Sequence, residues 1–138
     1  MTRGYMLNSD TAGIDGQVSV LATITSINLK NIGATTLLLV PAGKTLIIYD
    51  VLLFTTAADT VTVAPIVSVG KAASYNEWLA LSTMTGLTSI AKTISLNSTA
   101  LGLIQSSFAA GETVAFNVGT GATATTLTVT AYLIGILV

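Results

Sequence analysis

The residue types that most enzymes use for nucleophilic or general-base chemistry are scarce in this 138-residue chain. It contains no histidine and no cysteine, which excludes imidazole bases, cysteine nucleophiles, disulfides and the common zinc ligands. Lys71 has Ser68 and Ser74 nearby in the sequence, and Asp50 with Glu112 could be drawn as an acid–base pair. Because neither set matches the spacing of a known catalytic site, we expect no enzyme activity and no cofactor.

Two further stretches have residue types that bind ligands in other proteins. The segment Leu38–Thr45 ends in Gly-Lys-Thr like a phosphate-binding loop. It lacks the first glycine, and an apolar β-type run rather than a helix follows, so it is typical of a turn between strands. Asn8, Asp10 and Asp15 could offer oxygen atoms to calcium, but their spacing does not fit the helix–loop–helix calcium motif. We therefore expect no metal site.

One aromatic and polar cluster, Tyr75-Asn76-Glu77-Trp78, is a candidate for partner binding. Aromatic rings supply contact area and amides supply direction, as in many sugar and protein sites. Tyr75, Asn76 and Trp78 are the candidate contact residues. The alternative is that Trp78, the single tryptophan, caps one end of the hydrophobic core.

Charged residues make up only 8% of the chain, with five Lys+Arg against six Asp+Glu. Without a basic cluster the chain is not expected to bind nucleic acid. So few charges cover a free monomer's surface poorly, which predicts a homo-oligomer or a place in a larger assembly.

A membrane-spanning segment is not expected, although the mean hydropathy is +0.81 and no charge follows Glu112. Only Ala131–Val138 is continuously apolar, which is shorter than the ~20 residues that a spanning helix needs. Met1–Gly16 has no apolar stretch typical of a signal peptide.

The elements that would position these residues are β-strands. Met1–Gly16 has no periodicity and is predicted to be an extended arm, whereas residues 17–138 are predicted to form one domain. Gln17–Ile27 alternates, with Val18, Val20, Ala22, Ile24 and Ser26 on one face and the residues between them on the other. Thr35–Val40 and Thr45–Thr56 are predicted strands, the latter buried on both faces and bulged near Asp50.

The second half of the chain continues this pattern. Thr60–Val69 is a predicted strand in which Pro65 marks an edge or a bulge. Gly70–Ser89 is irregular, and Ser74–Ala80 is either a short helical turn or a functional loop. Further strands are predicted at these segments: Thr93–Leu96, Leu101–Ile104, Glu112–Val118 and Thr125–Val138.

A short internal echo relates two predicted turns. Val40–Leu46 (VPAGKTL) is repeated approximately as Phe108–Val114 (FAAGETV), and each places a glycine suited to positive φ before a strand. Many strands, short turns and no long helix indicate an all-β, antiparallel β-sandwich, and a jelly roll is the preferred version.

Several strand-and-turn motifs from Val40 onward also occur in a known group of proteins. They are Pro41–Thr45, Val61–Gly70, Tyr75-Asn76, Ala109–Gly111 and the Thr-rich last strand ending in Ala131–Gly135. In these motifs the sequence resembles the small β-sandwich accessory proteins of tailed-phage virions, namely capsid decoration (cement) proteins and related head- or tail-fibre modules. The resemblance implies a virion surface protein, often trimeric, that binds the major capsid protein.

Two functions follow as expectations. The first is a structural protein that decorates and stabilises a phage capsid; the second is a receptor- or glycan-binding fibre module that uses Tyr75 and Trp78. The arm Met1–Gly16 is expected to contact a neighbouring subunit or the shell, and Arg3, the only arginine, is its candidate contact to a carboxylate.

Overall fold

The computed structural model describes residues 17–97 and 107–138. The predicted arm with Arg3, and the strand expected at Leu101–Ile104, lie outside these residues. The described residues form nine β-strands and no helix. The strands are β1 Ser19–Asn28, β2 Gly33–Leu39, β3 Leu46–Asp59, β4 Ile66–Lys71, β5 Leu79–Thr83, β6 Thr93–Ser95, β7 Ser107–Phe108, β8 Thr113–Thr120 and β9 Thr126–Leu137.

The strands form two antiparallel sheets, and the predicted all-β sandwich is confirmed. In sheet A the order is β1-β9-β3-β6, with β7 also paired to β3. In sheet B the order is β2-β8-β4-β5. Consecutive strands therefore often change sheets: β1 lies in sheet A, β2 in sheet B and β3 in sheet A again.

The core lies between the inner faces of the two sheets. Successive side chains of a strand point to opposite faces, so every second residue is buried. In β9 the inward residues are Leu127, Val129, Ala131 and Leu133, all fully buried. In β8 they are Val114, Phe116 and Val118. The predicted alternation in the last strand is confirmed.

A β-bulge in β3 lies where the sequence predicts it. The pairing with β9 shifts between Ile48 and Asp50, so Tyr49 is the extra residue. The expectation that this strand is buried on both faces is met only in part: its inward residues are buried, while outward Leu52 and Phe54 are half-buried.

The predicted faces of β1 are wrong. Two register shifts, between Val20 and Ala22 and between Ile24 and Ile27, interrupt its pairing with β9. Each bulge inserts a residue and changes which side chains point inward. Leu21, Ala22, Ile24 and Ile27 therefore pack on the core although alternation assigns them to different faces.

The segment around Pro65 also differs from the prediction. The strand begins only after the proline, at Ile66, because Pro65 has no N–H to donate to a ladder. Residues 60–65 carry a single isolated bridge, Val63 to Thr123. Leu79–Thr83, within the segment predicted to be irregular, is strand β5 on the edge of sheet B.

The two echoed turns have the same backbone geometry. Gly43 has φ of 75° and Gly111 has φ of 85°, a region that glycine enters without steric cost. The turns also lie side by side: the N–H of Val40 donates to the carbonyl of Glu112, and the N–H of Gly111 donates to the carbonyl of Val40, both at 2.9 Å. The turn interpretation of this motif is confirmed.

Candidate functional site

The aromatic and polar cluster lies in the loop between β4 and β5. Trp78 is 0% exposed, and its backbone N–H donates to the carbonyl of Val69 at 3.0 Å, which continues the β4–β5 pairing. Among the described residues its indole N–H has no hydrogen-bond partner. Of the two alternatives left open by the sequence, the structure places Trp78 in the core.

Tyr75 and Asn76 form the tip of the same loop. Tyr75 is half-buried, and its N–H donates to the carbonyl of Lys71 at 2.9 Å. Its φ of 60° is in the left-handed region, which marks a tight turn. Asn76 is exposed. These two side chains are therefore available to a partner, and their role in binding stays a prediction.

Glu77 closes this loop. Its carboxylate accepts a hydrogen bond from the N–H of Lys71 at 2.7 Å and another from the hydroxyl of Ser74. The closure depends on Gly70, because a Cβ at that position would overlap the backbone of Asn76 and Glu77. Ser74 thus donates to a carboxylate, which is a structural arrangement and not that of a nucleophile beside a lysine.

Lys71 connects the loop to the turn before β8. Its ammonium lies 3.4 Å from a carboxylate oxygen of Glu112. The other carboxylate oxygen of Glu112 accepts the N–H of Ala109 at 2.9 Å, across one of the echoed turns. Since both side chains are partly exposed, we expect this ion pair to contribute at most ~1 kcal/mol.

Asp50 accepts hydrogen bonds from β6 and from the residues that follow it. It accepts a hydrogen bond from the hydroxyl of Ser95 at 2.6 Å and from the N–H of Asn97 at 3.1 Å. The amide of Asn97 in turn donates to the carbonyl of Tyr49 at 2.8 Å. Asp50 therefore anchors β6 and the following residues to the β3 bulge. Glu112 instead accepts a hydrogen bond within the turn before β8, so these contacts do not bring the two residues together as an acid–base pair.

Two surface depressions lie at turns. One, of about 340 Å³, is formed by the β1–β2 connection, and residues at its rim include Ser26, Asn31, Ile32 and Val118. The other, of about 550 Å³, lies over the echoed turns and is lined mainly by Leu39, Pro41, Ala42 and Ala110. Among the described residues, neither depression is lined by a carboxylate or an ammonium group.

Residues 17–97 and 107–138 contain no cluster of three or more acidic side chains that could hold a metal ion. Within the same ranges, none of the chain forms a helix long and apolar enough to cross a membrane.

The largest feature that sequence reasoning missed is the outer face of sheet A. Five outward side chains of its central strands are apolar and half-buried, namely Leu52, Phe54, Tyr132, Ile134 and Ile136, although Asp50 and the threonines of β9 share this face. The sequence does contain this information, because these residues alternate with the core residues in segments where both kinds of position are apolar. Alternation alone predicts burial of both faces of β3 and does not place these residues side by side on one outer face.

The sequence matches no protein-family model and no curated protein. The fold, however, is similar to that of chains in two phage capsid structures. One belongs to the acid-stable capsid of Helicobacter pylori bacteriophage KHP30, with a TM-score of 0.52, 17% identity, and coverage of 91% of this chain and 94% of that chain. The other belongs to the capsid asymmetric unit of cyanophage Pam1, with a TM-score of 0.53, 22% identity, and coverage of 98% and 97%.

Proposed function

We propose that this chain is a structural virion protein that binds the major capsid protein shell of a phage and stabilises it as a decoration protein. The observation that carries the proposal is the fold similarity, which extends over more than nine-tenths of this chain and of both phage capsid chains. Near-complete coverage in both directions indicates that the similarity concerns a whole subunit and not a common substructure.

The strand order supports a jelly roll as the more specific fold. Strands pair from the ends of the described chain toward its middle: β1 with β9, β2 with β8, β3 with β6, and β4 with β5. Such nested pairing is that of a long antiparallel hairpin rolled into two facing sheets. This is the architecture that viral capsid domains use repeatedly.

The use of the charged side chains supports a structural and non-catalytic role. Each carboxylate in residues 17–97 and 107–138 accepts a hydrogen bond. Those of Asp50, Glu77 and Glu112 hold a bulge, a loop and a turn, and that of Asp59 accepts from the hydroxyl of the neighbouring Thr60. A general acid or base must face a substrate in a cleft. These groups instead accept hydrogen bonds within the protein, which supports a structural role.

The proposal includes self-association and an attachment role for the arm. We propose a homo-oligomer, with a trimer as the order implied by the resemblance to decoration proteins. Met1–Gly16 would extend from this oligomer to a neighbouring subunit or to the shell, with Arg3 facing a carboxylate. Deleting Met1–Gly16 should then weaken attachment to the particle while the chain still folds.

The test is binding to capsids assembled from the major capsid protein of the phage that carries this gene. We expect this chain to co-sediment with such capsids at a fixed ratio that saturates, as binding to symmetric sites requires. The matched control is the chain lacking Met1–Gly16, which should remain mostly in the supernatant at the same concentration. Full-length protein that stays in the supernatant at micromolar concentration contradicts the decoration role.

The alternative function is a glycan- or receptor-binding fibre module. Tyr75 and Asn76 at the loop tip are the side chains on which it depends, since Trp78 is buried. Binding to a glycan array that is lost in Tyr75→Ala, together with no retention on capsids, would favour this alternative.

A further inference from the structure

The two echoed turns form an apolar depression of about 550 Å³ at one end of the sandwich, here called the turn depression. Among the described residues its lining consists of Leu39, Val40, Pro41, Ala42, Gly43, Ala110 and Gly111. None of these has a polar side chain, although turns usually carry asparagine, aspartate or serine. Leu39 is 59% exposed, and of the other lining residues all but Val40 are exposed as well. The turn depression is therefore an accessible apolar surface.

Backbone hydrogen bonds hold the turn depression in shape. The N–H of Val40 donates to the carbonyl of Glu112, and the N–H of Gly111 donates to the carbonyl of Val40, which joins the two turns. Within the first turn, the N–H of Lys44 donates to the carbonyl of Pro41 at 3.2 Å. Because the site is already formed, a bound segment gains contact area without the cost of ordering the site.

The chain enters the first strand at this same end of the sandwich. Ser19, the first residue of β1, lies opposite Gly135 of β9. Three residues further on, Val138 and Thr45 exchange two backbone hydrogen bonds, directly after the first of the two turns. The residues that precede Ser19 therefore run toward that turn. Since only β9 separates β1 from β3, the start of β1 and the turn are about 10 Å apart across the sheet.

The arm Met1–Gly16 precedes the described residues and contains one run of three large apolar residues, Tyr5-Met6-Leu7. The nine residues that follow, Asn8–Gly16, include two glycines and two aspartates. Nine residues span at most about 30 Å, and a random coil of that length spans about 17 Å on average. Both lengths exceed the ~10 Å across the sheet, so Tyr5-Met6-Leu7 can reach the turn depression.

We infer that Tyr5-Met6-Leu7 packs into the turn depression of its own chain and anchors the arm at this end of the sandwich. The lining is apolar and uncharged, so these side chains lose contact with water without opposing charge. A short tether gives an effective concentration in the millimolar range, about 1,000-fold above that of another copy at micromolar concentration. A contact with an intrinsic dissociation constant of ~0.1 mM would then be occupied about 10:1 within the chain.

The first experiment measures whether the arm covers Leu39 in the full-length chain. Because the chain has no cysteine, Leu39→Cys introduces a single thiol. The matched control is Leu81→Cys, since Leu81 is also 59% exposed but lies on β5, at the opposite edge of sheet B. Adding Tyr5→Ser/Leu7→Ser should speed maleimide modification of the Leu39→Cys thiol ~10-fold and leave the rate for Leu81→Cys unchanged. Equal rates with and without the arm substitutions overturn the inference.

The second experiment identifies which chain supplies the arm. Met6→Cys/Leu39→Cys should form a disulfide under mild oxidation, because packing into the turn depression brings the two Cβ atoms within the range of such a bond. On a denaturing, non-reducing gel the product should migrate as a single chain of 14.0 kDa that has lost its free thiols. The matched control, Met6→Cys/Leu81→Cys, should retain them. A disulfide-linked dimer of the first variant would assign the arm to another copy and overturn the inference, and so would thiols that stay free.

Docking of the arm and binding to a capsid are tested separately. Docking of Tyr5-Met6-Leu7 places Arg3 close to this end of the sandwich, where the proposed contact of Arg3 with a carboxylate would be made, but it does not require a capsid. If the intrachain disulfide forms and the chain never co-sediments with capsids, the inference stands and the decoration role fails. If the chain binds capsids while Tyr5→Ser/Leu7→Ser has no effect on the Leu39→Cys thiol, the inference fails and the decoration role stands.

Discussion

Phe116 provides the most direct test of the register on which the fold rests. It lies in the middle of β8, between β2 and β4, with its neighbours Thr35 and Val69 directly opposite. Its side chain is fully buried, whereas Asn117, the next residue, points to the outer face and is half-buried. Phe116→Ala should therefore remove a whole ring from the core, and Asn117→Ala should remove only a surface amide.

The expected magnitudes differ several-fold. A buried Phe→Ala change costs about 3–5 kcal/mol of unfolding free energy through lost transfer energy and the cavity that remains. A surface change such as Asn117→Ala should cost less than ~1 kcal/mol. With a urea m-value of about 2 kcal/mol/M, Phe116→Ala should move the unfolding midpoint down by roughly 1.5–2.5 M.

The assay can use the fluorescence of Trp78, the single tryptophan, which is fully buried in the folded chain. Urea titrations of the wild type and the two variants, at equal and low protein concentration, give the three midpoints. If Asn117→Ala were as destabilising as Phe116→Ala, the register of β8 would be shifted by one residue and its faces exchanged. That result would refute the assignment of the core.

Three further predictions concern other parts of the domain. Trp78→Phe should cost only about 1–2 kcal/mol, because the indole N–H has no hydrogen-bond partner within residues 17–97 and 107–138. Trp78→Ala should cost about 3–5 kcal/mol by denaturant titration. Gly135→Ala should cost about 1–3 kcal/mol, because the added Cβ would overlap the carbonyl of Ile47 in the paired strand. The control is Gly86→Ala, whose Cβ would meet only the end of a flexible side chain, and thermal unfolding compares the two variants. Deleting Leu133–Val138 removes residues of β9 that pair with both β1 and β3, so cooperative thermal unfolding, followed by circular dichroism, should be lost. A truncated chain that still unfolds cooperatively would contradict this topology.

Turn chemistry and strand periodicity were predictable because they depend on neighbours in the sequence. The glycines of the echoed turns, Gly43 and Gly111, adopt positive φ as their sequence context indicates. The bulge near Asp50 was predictable in the same way, from a run too long to pair evenly. That the two turns lie against each other follows from the pairing of distant strands, which a local pattern does not contain.

The misassigned elements share a different physical cause. The faces of β1 depend on two bulges opposite β9, and nothing in the alternation of residues 17–27 specifies where they fall. β5 was missed because Leu79–Thr83 is short, and its pairing with β4 depends on the loop that Glu77 closes. Tertiary contacts decide both cases.

The candidate site was predictable in composition but not in arrangement. Tyr75, Asn76 and Trp78 are adjacent in the sequence, yet burial of the indole follows from the pairing of Trp78 with Val69 and from its place in the hydrophobic core. The apolar outward residues of β3 and β9, such as Leu52 and Ile134, are also evident in the sequence, where they alternate with the core residues. Which of these residues lie next to one another depends on the register between β3 and β9, which the sequence pattern does not specify.

The central claim, that this chain decorates a phage capsid, is tested most directly by electron cryomicroscopy of capsids prepared with and without the protein. We expect additional density on the outside of the shell at symmetry-related sites. This density should accommodate the two-sheet sandwich at each of these sites. Identical maps of the two preparations, with the protein present in saturating amounts, would contradict it.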